Sequence, residues 1–453
     1  MSTSAYPGPA STGAATNIPD RLRRRDNWGW PGLAAGTVVR HVHGRLVSDG
    51  SADTLVWLNG ERVTPPGRWL ARRAASWPAF ALRHPDAAVT TGQGMLQCVS
   101  GLQDFVAEVT GLAAVSLAPP TPSLLRFAAV SLAFARLRAC GVTPERVLVC
   151  APPRSPWRAV DAAGSNLPIV ALTPDSWSDA DALAGELDGG VAAVIVDGVG
   201  PEAAAKIAKR VQQHQPVLLI YGGGDFNAWA GRVTPAELGY DAACINVGLL
   251  VGGAPVGAAA QALAVGAELE PWLPLPRVTE SRGDYRWLTE RVRPQTIGRL
   301  SATGAHVSVL LQAYVNALAL GSNGIVSLHT DAIMSAYYLE ARLRGAEPRL
   351  TVDRLPAHGL LVYVDPPWHG RELAAALFRG GFVVDFNAHD PQAIGVVCSG
   401  LETKRDLDAF SEALASLIRV PPKSKPTVAS EAAAHQDDPD LAASDVSVFL
   451  TEI

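Results

Sequence analysis

Between Met95 and Thr110 the apolar residues Met95, Val99, Leu102, Phe105, Val106 and Val109 recur at the spacing of one helical face. Gly111 follows, where a glycine in the left-handed region ends a helix. The pattern predicts a second helix over 124–140. Short β-branched runs then alternate with helical stretches. Strands are predicted at 146–150, 168–172, 191–196, 216–221 and 243–250, with helices at 178–187 and 201–214. Such alternation predicts an α/β domain with a mostly parallel sheet covered on both faces. After Pro274-Leu275-Pro276 the texture changes. Helices at 301–320 and 328–345, strands at 359–364, 381–385 and 393–398, and a helix at 405–418 predict a smaller α+β domain.

These patterns divide the chain into five parts: a disordered tail at 1–27, an N-terminal arm at 28–91, a large domain at 92–275, a small C-terminal domain at 276–420 and a flexible tail at 421–453. The first 20 residues are rich in Ser, Ala, Gly, Pro and Thr, and Arg21, Arg23, Arg24 and Arg25 follow as a solvated charge cluster. In the last eight residues Val446, Val448 and Leu450 alternate with Ser447, Phe449 and Thr451, the form of a strand that could add to a sheet edge.

Composition narrows the class. Of 453 residues, 48% are hydrophobic and 18% charged, enough for a sizeable core. A net charge of −5 argues against a general nucleic-acid binder. The run from Val247 to Ala260 contains four glycines and a proline, too broken to cross a bilayer. No membrane association is expected. The five cysteines have no metal-like or paired spacing, and the start of the chain has no apolar secretory core, so a cytoplasmic location is expected. There are 33 arginines and five lysines, and the stretches 1–205 and 210–403 hold no lysine. No Schiff base to a lysine can form within them.

Other clusters carry little chemistry. His41 and His43 would share a strand face but lack a third metal ligand. Asp385, Asn387, His389 and Asp390 read as a turn. Gly222-Gly223-Gly224 lacks the context of a nucleotide loop. Ser100, Ser116 and Ser155 have no triad partners. Trp157, Trp229, Trp287 and Trp368 could line a pocket or fill one.

The stretch 84–117 carries His84-Pro85, Gln93-Gly94, Leu102-Gln103, Glu108 with Thr110-Gly111, and Val115-Ser116-Leu117. Residues 293–345 carry Arg293-Pro294, Ile297-Gly298-Arg299, then AYVNALALGSNGI and YYLEARL, and GLETKRDLDAF stands at 400–410. In this order they resemble the glycine dehydrogenase (decarboxylating) family, the P-protein of the glycine cleavage system, and in particular its C-terminal-half subunit. The resemblance implies a fold-type-I pyridoxal-phosphate (PLP) transferase architecture, like that of aspartate aminotransferase, assembled as a dimer. It also implies PLP as an electron sink, held by a lysine, a pyridinium-pairing aspartate, a stacking histidine and a phosphate loop.

Those positions differ here. The lysine loop corresponds to Ile245–Val251, with Gly248 and no lysine, and Gly252 and Gly253 follow. The aspartate position falls on Gly222, with Asp225 and Asn227 just beyond. The histidine position falls near Arg154, and Pro119, Pro120 and Pro122 interrupt the phosphate loop. The expectation is therefore a vestigial pocket of Arg154, Gly222, Asp225, Asn227, Gly248, Gly252, Gly253, Arg293 and Arg299, with no catalytic residue, no metal and no cofactor. The leading reading is a PLP-independent pseudo-enzyme. It would be a non-catalytic subunit or scaffold, in a homo- or heterodimer with a PLP-binding homologue or another enzyme of a specialised pathway. One alternative is an enzyme repurposed without PLP, in which Arg154, Asp225, Asn227, Arg293 and Arg299 supply an anion clamp and an acid–base pair. Another is a peptide- or small-molecule-binding module.

Overall fold

In the computed structural model the described residues run from 56 to 419, except 59–67, 78–91, 152–154, 156, 158–167, 200, 215, 224–232, 248–249, 251–259, 302–305, 348, 355–358, 367, 387–390 and 401. Both predicted tails, the segment 446–453, and His41 and His43 lie outside them. Two short elements stand in the predicted arm: β1 (Val56–Trp57) and α1 (Arg68–Ala75).

The large domain opens with α2 (Gln93–Thr110), which ends as predicted: Gly111 has φ 69° and its N–H donates to the Glu108 carbonyl. Then come β2 (Ala114–Ser116) and α3 (Pro122–Ala139). The Thr121 side chain caps α3 by accepting from the Leu124 N–H, and Pro122 opens its first turn without costing a hydrogen bond. The chain continues through β3 (Arg146–Cys150), β4 (Ile169–Ala171), α4 (Pro174–Ser178) and α5 (Ala180–Glu186). The helix predicted at 178–187 is α5, and α4 before it was not predicted. The two are separate because Asp179 caps a fresh start by accepting from the N–H groups of Asp181 and Ala182. Next are β5 (Val191–Val196), α6 (Pro201–Val211), β6 (Leu218–Tyr221), β7 (Ala242–Asn246) and β8 (Gln261–Val265).

Seven strands form one sheet in the order β2-β8-β7-β6-β5-β3-β4. Strands β3 to β7 pair in parallel, and β8 runs antiparallel to both its neighbours. Strand β5 is buried at all six positions, as a central parallel strand must be. One face carries α3 on Ala193, Ile195, Ile220 and Cys244. The other carries α2 over β7 and β8, and α5 and α6 over β3, β5 and β6.

After a 3-10 helix (Ala267–Trp272) comes the hairpin β9 (Arg277–Ser281) and β10 (Asp284–Leu288). Arg282 and Gly283 both have positive φ, 57° and 86°, as a two-residue turn between right-twisted strands requires. Two glutamines clip the hairpin to α2. Gln103 donates to and accepts from Val278, and Gln93 does the same with Tyr285.

The chain then enters α7 (Val307–Ala346), broken at Gly321 by φ 60° and ψ −175°. The two helices predicted at 301–320 and 328–345 are the two sides of this break. By length and composition α7 could cross a bilayer. Here its N-terminal part packs in the large-domain core and Ala336, Leu339 and Leu343 pack in the small one. The small domain follows as β11 (Thr351–Arg354), β12 (Gly359–Tyr363), α8 (Gly370–Arg379), β13 (Phe382–Val383), β14 (Asp385–Phe386), β15 (Ala393–Val397) and α9 (Lys404–Arg419). Its four-stranded antiparallel sheet has the order β11-β12-β15-β14, and β1 pairs with β13.

Candidate functional site

In an open α/β sheet, ligands bind outside the carboxyl ends of the strands, where the order of connection reverses. That point lies at β3, with β4 on one side and β5 on the other. The residues that follow the strands there are Ala151 after β3, Asp197 after β5, Gly222 after β6 and Val247 after β7.

Asp197 is 8% exposed and Ser155 is 5% exposed. The Ser155 hydroxyl donates to Asp197 Oδ2 at 2.5 Å and accepts from the Trp157 N–H at 3.2 Å. Trp157 is fully buried, and its indole N–H donates to the Gly222 carbonyl at 2.9 Å. A Cβ on Gly222 would lie 2.6 Å from the indole nitrogen and 2.9 Å from Ile195 Cγ2. No side chain fits at Gly222 while the indole stays where it is.

Asp197 belongs on this same face. Val196 and Tyr221 are register partners, and the Gly222 N–H donates to the Val196 carbonyl at 2.8 Å. One step on, Asp197 stands beside Gly222, with its side chain on the face that Ile195 occupies two residues earlier.

Arg126 reaches this region from α3. Burial pushes its pKa down, against the pull of neighbouring Cys244 and Asp197. Burial also raises the Cys244 thiol far above its ordinary range, so that thiol is neutral and Asp197 is the charge that matters to Arg126. The buried Arg126 Nε has no hydrogen-bond partner. The strand ends thus offer a buried carboxylate and a guanidinium with an unused N–H. This donor set fits a ligand that carries both an anionic group and a basic ring nitrogen.

The residues singled out in the sequence fall in three groups. Gly222 sits at the strand ends. Arg154, Asp225, Asn227, Gly248, Gly252 and Gly253 lie outside the described residues. Arg293 and Arg299 are held by carboxylates: Arg293 bonds Glu270 at 3.1 Å and Arg299 bonds Glu290 at 3.2 Å. Burial would raise the Glu270 carboxyl, but Arg277 and Arg293 outweigh it and hold it below its ordinary range. Sequence reasoning set Ser155 aside and did not single out Asp197 or Arg126. The available signal was a carboxylate immediately after an uninterrupted apolar strand, Val191–Val196. Lys206 and Lys209 line a groove of about 750 Å³ with Trp177, Leu183 and Arg210, between helices α4, α5 and α6. Among the described residues no group of His, Cys, Asp and Glu could hold a metal ion.

A seven-stranded sheet of this order and direction, helices on both faces and a small C-terminal domain define the fold-type-I class of PLP-dependent enzymes. Solved structures agree. A glycine decarboxylase (P-protein) of the glycine cleavage system, in inhibitor-bound form, matches 88% of this chain and 93% of its own, with a TM-score of 0.69 at 18% identity. A lysine-to-alanine mutant of C-DES, with glycine covalently linked to its PLP cofactor, matches 83% of this chain and 99% of its own, with a TM-score of 0.60 at 15% identity.

Among curated proteins, the probable glycine dehydrogenase (decarboxylating) subunit 2 of Nitrosomonas europaea is 30% identical over 437 residues, 90% of this chain and 88% of that protein. That of Legionella pneumophila strain Corby is 29% identical over 429 residues. The chain belongs to the glycine dehydrogenase (decarboxylating) subunit 2 family. No protein-family model matches it.

These findings correct one expectation. A chain without a cofactor was inferred from the missing lysine and from Gly222. The relatives and the PLP-holding fold neighbours point instead to PLP. The inference failed because a lysine is one of several attachments. Phosphate and ring contacts also hold PLP in enzymes that use it, and the strand ends here carry the partly buried cation Arg126 and the buried anion Asp197.

Proposed function

We propose that the chain is a glycine dehydrogenase-type subunit that binds PLP at the carboxyl ends of β5 and β6 and acts in a heteromeric assembly with a complementary subunit. The observation that carries this reading is the match, over 90% of this chain and 88% of the relative, to a protein named subunit 2. When bound, PLP supplies an electron sink for bond breaking at the α-carbon of an amino acid. Asp197 and Arg126 would hold the cofactor. Ser155 orients the Asp197 carboxylate, and the Trp157 indole keeps water from the end of β6.

The stretch 210–403 offers no lysine amine, which supports a further part of the reading. The chain does not turn over glycine alone; it serves as a cofactor-bearing scaffold that the complementary subunit makes active. The reading includes a cytoplasmic location, supported by five cysteines that are all free thiols.

The test compares the chain purified alone with the chain co-expressed with the complementary subunit from the same genome. Absorbance should report saturable PLP uptake by the chain, and only the co-expressed pair should release labelled CO2 from glycine. Release by the chain alone would refute dependence on a partner. Absence of PLP uptake in both preparations would refute the cofactor assignment.

A further inference from the structure

We infer that Asp197 is the anionic partner of the PLP ring nitrogen, supplied from β5 because the end of β6 has no room for a side chain. The inference rests on the PLP-binding reading and goes beyond it by naming the residue that sets the electronic state of the cofactor.

A PLP ring withdraws electrons best when its nitrogen is protonated, and a buried carboxylate beside the nitrogen keeps the proton there. Gly222 cannot provide one. A Cβ there already meets the Trp157 indole nitrogen at 2.6 Å and Ile195 Cγ2 at 2.9 Å, and a whole carboxylate would need more space still. Parallel strands lie roughly 4.8 Å apart, and register partners present their side chains to the same face. The nearest other source of a carboxylate on that face is therefore the register neighbour of Gly222, which is Asp197. An aspartate side chain and one hydrogen bond together span one strand spacing.

Three features prepare Asp197 for the role. It is 8% exposed, so little water competes for it. Ser155 donates to Oδ2, which fixes the orientation of the carboxylate. Trp157 donates its backbone N–H to the same Ser155 hydroxyl and its indole N–H to Gly222, so one residue both closes β6 and braces the group that replaces it. Among the described residues, Arg126 from α3 and Cys244 from β7 are charged or titratable groups that act on this locus. The thiol is neutral. Arg126 and the Asp197 carboxylate attract one another across this locus, and a carboxylate beside the ring nitrogen favours a proton there.

The experiment uses the full chain loaded with PLP carrying 15N at the ring nitrogen. Wild type should give the 15N shift of a protonated pyridine. In Asp197→Asn the shift should move to that of an unprotonated ring, and PLP should bind at least about tenfold more weakly by absorbance titration, since a charge-assisted contact becomes a neutral one. Ser155→Ala keeps the carboxylate and should keep the protonated shift. Near-UV circular dichroism of each variant reports whether the fold is intact, and the wild-type shift needs no variant at all. An unprotonated nitrogen in loaded wild type, or an unchanged shift in a folded Asp197→Asn, overturns the inference while PLP binding stands. No PLP uptake by wild type overturns the binding reading, and this inference with it.

Discussion

Gly222 shows how far one residue can be read from the sequence. Its place after an apolar strand was legible, and so was the absence of a carboxylate there. The reason a side chain is excluded was not, because Trp157 lies 65 positions away and only the fold brings its indole to the Gly222 carbonyl. The same limit hid Asp197: its burial and its Ser155 contact span 42 positions of chain. Gly222→Ala should therefore destabilise the protein by about 1–3 kcal/mol, since the added methyl must displace a packed indole or strain β6. Chemical denaturation measures this. An unchanged midpoint would mean that the indole does not sit against β6 in solution.

Elements with strong periodicity or β-branched runs were legible, and alanine-rich strands were not. Helix α2, with six apolar residues on one face and a glycine stop, was predicted to within two residues. Strands β2 and β8 escaped because AVS and QALAV are short and alanine-rich, and sheet partners rather than propensity make them strands. How elements are tied at their ends was not legible either. At the end of α7, Glu347 accepts from Arg349 Nε at 2.8 Å and Arg419 Nε at 3.2 Å, while Arg419 also donates to the Ala346 carbonyl. The clamp joins the last turns of α7 and α9. The hydrogen bond from Arg349, then that from Arg419, lowers the Glu347 carboxyl from 4.5 to about 2. A depressed carboxylate stabilises the fold above its unfolded value, and the contribution is lost as pH falls through the folded one. The clamp should hold above pH 4.5 and fail progressively toward pH 2. Thermal melts across that window should show a steeper acid loss for wild type than for Glu347→Gln. Parallel curves would remove the clamp as a source of stability.

At the scale of the molecule, α7 decides whether the two cores act separately. Its Ile325 and Leu328 belong with the large-domain core, and Ala336, Leu339 and Leu343 with the small-domain core. The turn between β15 and α9 presses on the same helix: a Cβ at Gly400 would lie 2.5 Å from the Leu328 carbonyl oxygen and 2.8 Å from the Ala332 nitrogen. A helix so gripped cannot be lost from one core without disturbing the other, so damage in the small domain should spread. Phe410 is the natural probe. It is fully buried, stacks edge-to-face on Phe382 at 5.4 Å and packs with Leu407 and Leu414. Phe410→Ala should cost about 3–5 kcal/mol, from lost burial and the cavity left behind. If α7 couples the cores, hydrogen exchange should speed up not only in β12 and β15 but also in β5, whose residues Val191–Val196 are fully buried in the other domain. Faster exchange confined to residues 350–419, with β5 as protected as in wild type, would show that the small domain opens alone and that α7 is a tether between the cores instead of a shared support.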